Sequence, residues 1–177
     1  MFKKTLLLVL ITVAITSCDA VDELTKFDLD YTTNYTIQAS TVLDVPIDII
    51  TPEVTTNSEE EFENNDTNKD LIESIKLKTL TLNLRTPEDG NFNFINDITI
   101  FIRAEGLPEV AIATATDLPE NGARRVELET DNVELKEYIK ADSYTLRTMT
   151  TTDGFIDEDH NIDIRTVFRV DAKILGI

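Results

Sequence analysis

Strict alternation of apolar and polar residues is the feature that most constrains this chain. It is clearest over residues 162–174, where one parity is apolar apart from Thr166 and the other carries charged residues such as Asp163 and Arg165. Successive side chains of a β-strand point to opposite faces, so this pattern predicts a strand with one face in a core. At about 3.3 Å per residue, the strand would cross a whole small domain. We therefore expect it to be central to a sheet.

The same alternation recurs along the chain, over residues 27–37, 43–49 and 74–84 among others. Between Leu77 and Leu80 the apolar face changes parity, which predicts a β-bulge near Lys78 and Thr79. Pro46 has no N–H group to donate, so its strand should lie at a sheet edge or carry a bulge.

These segments predict about eight strands separated by turns, without the strand–helix–strand rhythm of a parallel sheet. The turn signals include Pro87–Gly90 and Leu118–Gly122, and one short helix is expected over Asp131–Ile139 with Asp131 as its cap. The predicted fold is all-β, an antiparallel β-sandwich of about eight strands with one short helix. An eight-stranded up-and-down β-barrel is the alternative, because strand number does not distinguish the two.

Residues 51–70 lose the alternation and are dominated by acidic residues and asparagine. Only Val54 and Phe62 offer side chains to bury, so the segment is predicted to be a flexible acidic loop.

The N-terminus has the layout of a secretory signal. Lys3 and Lys4 precede an apolar stretch over residues 5–15 that is too short to span a bilayer, and the stretch ends in Ile15-Thr16-Ser17-Cys18. This ending resembles the lipobox of bacterial lipoproteins. The resemblance implies a signal peptide over residues 1–17, acyl chains on Cys18 and a tether over 18–26. A single domain is then expected over residues 27–177.

The resemblance also implies a location in the cell envelope. Asp19 resembles an inner-membrane retention signal of enterobacteria, whereas Asp22 and Glu23 resemble a surface-export signal of other lineages. The acidic style, rich in Asn and Thr, resembles envelope lipoproteins of Bacteroidota. We therefore expect the outer membrane, with the choice between its periplasmic and surface leaflets left open.

Charge restricts the partners. The chain has 34 acidic and 16 basic residues, a formal net charge of −18. Such a surface repels phosphate backbones, so no nucleic-acid partner is expected, and membrane contact should run through the acyl chains alone. The remaining candidate partners are an envelope protein or a glycan.

Candidate chemistry is sparse. Cys18 is the single cysteine, which rules out an internal disulfide, and no base is identified for it as a nucleophile. Asp153, Asp157 and Asp159 are weak calcium candidates, but their spacing departs from the EF-hand order and favours a solvated turn. His160 is interpreted as a histidine of that surface turn. We expect no catalytic residues, no metal site and no cofactor.

The sequence therefore predicts a lipid-anchored envelope protein that acts as a non-catalytic binding or assembly module, not an enzyme. The edge strand with Pro46 and the acidic loop would be its contact surfaces. Two alternatives remain: a hydrolase of envelope polymers that uses two carboxylates, and a calcium-dependent adhesion module.

Overall fold

A computed structural model describes residues 25–39, 46–152 and 155–173. The predicted signal peptide, Cys18, most of the tether, Asp153 and the first part of the predicted 43–49 strand lie outside the described residues. The described residues form nine strands and two helices. The strands are β1 (Lys26–Ile37), β2 (Ile47–Ile50), β3 (Val54–Thr55), β4 (Ile72–Thr86), β5 (Ile95–Arg103), β6 (Val110–Ala115), β7 (Arg125–Thr130), β8 (Ser143–Thr152) and β9 (His160–Ala172). The helices are α1 (Ser58–Asn64) and α2 (Lys136–Lys140).

The strands form one antiparallel sheet that curls into a half-barrel, in the order β1-β9-β4-β7-β6-β5-β8-β2, with β3 paired to β8. Only two residue pairs, Ala113 with Thr130 and Thr114 with Glu129, join β6 to β7. The sheet therefore has two halves that face each other across a core. The first strand, β1, pairs with the last strand, β9. The pairs β2–β8, β4–β7 and β5–β6 lie between them in the sequence, each nested inside the one before it. This nesting is the jelly-roll form of the predicted sandwich.

Strand β9 is central, as the long alternation predicted. It pairs with β1 from Lys26↔Asp171 to Ile37↔His160, and with β4 along its other edge. The predicted bulge is also present, because the register shifts between the pairs Leu77↔Phe168 and Thr79↔Val167. Lys78 is the extra residue, and its ammonium lies 2.6 Å from the Asp28 carboxylate on the outer face.

The core lies between the two halves of the sheet and is filled mainly by Ile, Leu and Phe side chains. An aromatic cluster occupies one end. The rings of Tyr31, Tyr144 and Phe168 lie with their centroids 6.0 Å apart, and Phe27 meets Phe62 edge-on at 6.3 Å. Within the core, the Tyr144 hydroxyl lies 3.2 Å from Thr166 Oγ1, whereas the Tyr35 hydroxyl has no partner in the described part of the chain.

The outer face of the half built from β2, β8, β5 and β6 is organised around Arg147. Its guanidinium donates to both Glu109 oxygens, with Nη2 2.6 Å from Oε1, and to Asp48 at 3.0 Å. It also lies 4.2 Å above the Phe101 ring. The hydrogen bonds from Arg147 hold the pKa of the Glu109 carboxyl below its usual value. Arg147 thereby fixes the loop before β6 to the sheet.

The prediction that residues 51–70 form a flexible acidic loop was wrong. The segment contains β3 and α1, and Val54 and Phe62, the two apolar residues the sequence offered, are both buried. Tyr31 Oη donates to the Thr56 carbonyl at 2.8 Å and ties this segment to β1. Burial of Val54 and Phe62, together with backbone pairing to β8, orders a stretch whose composition is polar.

The predicted helix over Asp131–Ile139 is shorter than expected and differently capped. Leu135 N donates to the Ile75 carbonyl at 2.8 Å, and Ile75 N donates to the Glu134 carboxylate at 2.8 Å. These bonds to β4 hold the backbone out of the helix until Lys136, whose N–H also donates to Glu134. Glu134, and not Asp131, therefore accepts from the first turn of the helix.

Strand β2 lies at the end of the sheet, where β8 is its one partner among the described strands. This agrees with the edge position predicted from Pro46, which immediately precedes it. No helix in the described ranges is both long and apolar enough to cross a membrane.

Candidate functional site

A cleft of about 360 Å³ opens between the β4–β5 connection and the start of β9. A depression of comparable volume beside α1 has the Glu59–Lys69 ion pair on its lining. The polar residues that line the cleft are Asp89, Asn91, Asn93, Asp157, Glu158 and His160. Its volume is within the range of small-molecule binding sites.

Arg124 holds the turn that forms one wall. Its Nη1 donates to the carbonyl oxygens of Pro87, Glu88 and Gly90 at 2.6–2.7 Å, and its Nη2 donates to that of Leu84 at 3.0 Å. A planar guanidinium can serve several acceptors at once because its five donors have a fixed fork geometry. The wall that carries Asp89 is therefore rigid.

Residue 90 must be glycine because other atoms of the turn and of β4 lie too close to leave room for a side chain. A Cβ atom on this residue would lie 2.6 Å from Pro87 Cγ and 3.1 Å from Leu84 Cδ2. Both neighbours belong to the turn or to the strand below it, so a side chain here would force the turn open.

Two asparagines continue this wall, and each is oriented by its own carbonyl oxygen. Asn91 Oδ1 accepts from Asn93 N at 3.0 Å, and Asn93 Oδ1 accepts from Gly122 N at 2.8 Å. Because a backbone N–H can only donate, these contacts fix which side-chain atom is oxygen. Neither amide nitrogen donates to any residue that the structure describes, so both remain donors for a ligand.

His160 forms the floor. Its side chain is buried, with the residue 7% exposed, and its ring lies 4.5 Å from that of Phe94. Its Nδ1 lies 2.8 Å from the Glu158 carbonyl oxygen. A carbonyl only accepts, so Nδ1 carries a proton, and in the neutral form of the ring the lone pair is on Nε2. Nε2 has no partner among the residues described.

Three carboxylates, those of Asp89, Asp157 and Glu158, surround the opening, and all three residues are exposed. Phe155 stands beside them with 60% of its surface exposed. Across residues 25–39, 46–152 and 155–173, no three His, Cys, Asp or Glu side chains converge as metal ligands do. The acceptors of the cleft are spread over a surface instead of gathered around one point.

The residues singled out from sequence are dispersed. Cys18 and Asp153 lie outside the described residues. Asp157 lines the cleft, whereas Asp159 accepts a hydrogen bond from Ala39 N at 2.9 Å and so fixes the chain after β1. Ser58, Ser74 and Ser143 are all outside the cleft lining, so His160 has no serine beside it there.

Interpreting His160 as a surface-turn residue was wrong, because it is buried as the first residue of β9. The sequence did indicate that His160 is buried. His160 has the same parity as Ile162 and Ile164, so the alternation that predicted the strand also places this ring on its inner face. The asparagines of the β4–β5 connection were missed, since nothing in their own sequence links them to β9.

Comparisons with known proteins give a weak likeness to solved structures of viruses. No family model and no curated protein matches the sequence. Among solved structures, the infectious bursal disease virus Gt strain matches at 13% identity and a TM-score of 0.37, over 82% of this chain and 32% of that one. This chain thus spans about a third of its length. Desmodium yellow mottle tymovirus matches at 10% identity and a TM-score of 0.31, over 85% of each chain.

Proposed function

We propose that this protein is a lipid-anchored component of the bacterial cell envelope, attached through acyl chains on Cys18, and that its β-domain is a non-catalytic binding module. The lipobox-like Ile15-Thr16-Ser17-Cys18 supports the anchor. Two acyl chains bury enough hydrocarbon for stable attachment, whereas a single chain is marginal. The outer membrane is the proposed location.

The cleft beside His160 is the proposed binding site. The observation that carries this assignment is the pairing of a rigid wall, held by Arg124, with side-chain groups that have no partner in the described structure. Preorganised polar groups bind a ligand without first losing conformational entropy. We place recognition in this cleft and not at the edge strand β2 or at residues 51–70, whose buried side chains serve the core.

The anchor is tested by expressing the full chain in a bacterium and measuring its N-terminal peptide by mass spectrometry. We expect a mature protein that begins at Cys18 with a diacylglyceryl thioether and an N-linked acyl chain. A Cys18→Ala variant should keep residues 1–17 and lose the lipid mass. A mature wild-type N-terminus upstream of Cys18 would contradict the proposal.

A carboxylate-based hydrolase is the second candidate, because Asp89, Asp157 and Glu158 line the same cleft. The exposure of all three argues against it, since one of the two carboxyl groups must act as a general acid and apolar surroundings favour that role. Prolonged incubation with oligosaccharides, followed by mass spectrometry of the sugars, separates the two functions. Cleavage that disappears in Glu158→Gln or Asp157→Asn would establish the hydrolase, whereas intact sugars support a binding module.

A further inference from the structure

The cleft beside His160 offers both acceptors and donors, and this mixture restricts its ligand. The acceptors are the carboxylates of Asp89, Asp157 and Glu158 and the Nε2 lone pair of His160. The donors are the amide nitrogens of two asparagines whose oxygens are already engaged. A ligand that satisfies all of these groups must itself carry several donors and several acceptors.

This requirement eliminates simpler ligands. Phosphate or another anion would be repelled by three nearby carboxylates. A bare metal ion needs ligands that converge on one point, and no three do so in the described ranges. A simple amine offers donors only, and would leave the amide nitrogens of Asn91 and Asn93 unmatched. Hydroxyl groups donate and accept at once, so a polyhydroxyl compound meets the whole set.

Phe155 adds an apolar contact to this polar site. It borders the cleft with 60% of its surface exposed, so its ring is accessible to a ligand held there. The face of an aromatic ring is electron-rich, and it attracts the weakly positive C–H groups that line one face of a sugar ring. A polyhydroxyl ligand with such a face is a saccharide.

We propose that this cleft binds an uncharged oligosaccharide, with its hydroxyl groups on the side chains of Asp89, Asn91, Asn93, Glu158 and His160, and one sugar ring on Phe155. The inference rests on the proposed function, since it names the ligand of the same site. The observation from which it departs is the His160 ring in the cleft lining, only 7% exposed, whose Nε2 has no partner among the described residues. The acidic groups alone would not have identified a site.

The test uses the full chain purified in detergent and titrated calorimetrically with maltotriose, mannotriose, xylotriose, cellotriose and chitotriose. Trigalacturonate serves as an anionic probe and spermidine as a cationic one. We expect at least one neutral trisaccharide to bind with a millimolar or lower Kd, and trigalacturonate not to bind. Phe155→Ser should weaken that binding by at least about tenfold, because it removes the stacking face.

Ile50→Ser is the matched control, since Ile50 is 54% exposed on β2, outside the cleft lining. It should leave sugar binding unchanged. Asn93→Ala should weaken binding, and thermal unfolding of each variant shows whether a loss reflects misfolding. His160 is left intact because it packs in the core.

The outcomes separate this inference from the proposed function. If spermidine binds in a Phe155-independent manner and no neutral trisaccharide binds at millimolar concentration, the saccharide inference is wrong while a binding module remains. If a trisaccharide binds equally well to wild type and Phe155→Ser, the cleft is not its site, and the inference is also wrong. Cleavage of a bound sugar, or an unacylated Cys18, overturns the proposed function and leaves sugar recognition standing.

Discussion

Arg124 Nη1 lies 2.7 Å from the carbonyl oxygen of Gly90, and this bond links the segment before β7 to the turn after β4. The same nitrogen serves Pro87 and Glu88. The turn that forms the cleft wall is thus held by Arg124, beside the neighbouring strand β7. Its shape does not depend on its own sequence alone.

Replacing Arg124 by Lys tests this arrangement. The charge is retained, but an ammonium cannot reproduce a planar fork, so several carbonyl oxygens lose a charged donor. We expect the free energy of unfolding to fall by about 1–3 kcal/mol. Urea denaturation measures this change in the free energy of unfolding. Arg125→Lys is the control, because Arg125 is exposed, and its effect should stay within about 0.5 kcal/mol. Equal effects of the two substitutions would contradict the role of Arg124.

A pair of tyrosines tests the polar groups of the core. The Tyr35 hydroxyl is buried without a partner in the described residues, and burial raises the pKa of Tyr35. Tyr144, by contrast, shares a hydrogen bond with Thr166. We expect Tyr35→Phe to be neutral or stabilising, because it removes an unsatisfied group, and Tyr144→Phe to lower stability by about 0.5–1.5 kcal/mol. Thermal and urea unfolding compare the two. A loss in Tyr35→Phe as large as that in Tyr144→Phe would mean that Tyr35 has a partner.

Phe62 tests whether the acidic segment is part of the folded domain. Its side chain is fully buried, so Phe62→Ala should lower the free energy of unfolding by about 3–5 kcal/mol. Phe155→Ala removes the same atoms from an exposed position and should be nearly neutral. Hydrogen exchange of residues 58–64 should accelerate only in the Phe62 variant. Rapid exchange of this segment in the wild-type protein would contradict the assignment of α1.

Glu109 gives the domain a defined response to acid. Its folded pKa lies below the ordinary value of 4.5 because Arg147 donates hydrogen bonds to it, so the unfolded chain binds more protons. The stabilisation from this pair is therefore complete above the unfolded pKa and is lost as the pH falls through the folded pKa.

We expect Glu109→Gln to be less stable than wild type at neutral pH, with the difference shrinking as the pH falls below the ordinary carboxyl pKa of 4.5. Urea denaturation at a series of pH values measures the difference. Glu105→Gln, which changes an exposed residue of the same loop, is the control for the loss of one surface charge. A difference for Glu109→Gln that grows in acid would reverse the sign and contradict the assignment.

The fold was predictable from sequence because its information is local. Alternation fixes which face of each strand is buried, and this gave the all-β class, the central position of β9 and the bulge at Lys78. Pro46 marked an edge strand for an equally local reason, the missing N–H group.

The cleft and the acidic segment were not predictable because both depend on contacts between distant parts of the chain. Phe62, in α1, packs against Phe27 of β1, whose ring centroid lies 6.3 Å away, and this contact joins segments far apart in the sequence. The asparagines of the β4–β5 connection meet His160 only after β9 has joined the sheet. The truncation of α2 has the same origin, since β4 captures the backbone of Leu135.

The pairing of β1 with β9 sets the order in which this protein can mature. Asp30 and Arg165, which form an ion pair across these strands, are 135 residues apart. Among the described residues, β1 pairs with β9 alone, so it leaves the ribosome long before its partner strand exists, and closing such a long loop is entropically slow. Strand β1 therefore joins the sheet only after β9 has been synthesised. Until then, the strand edges that will pair with β9 are open and prone to aggregation.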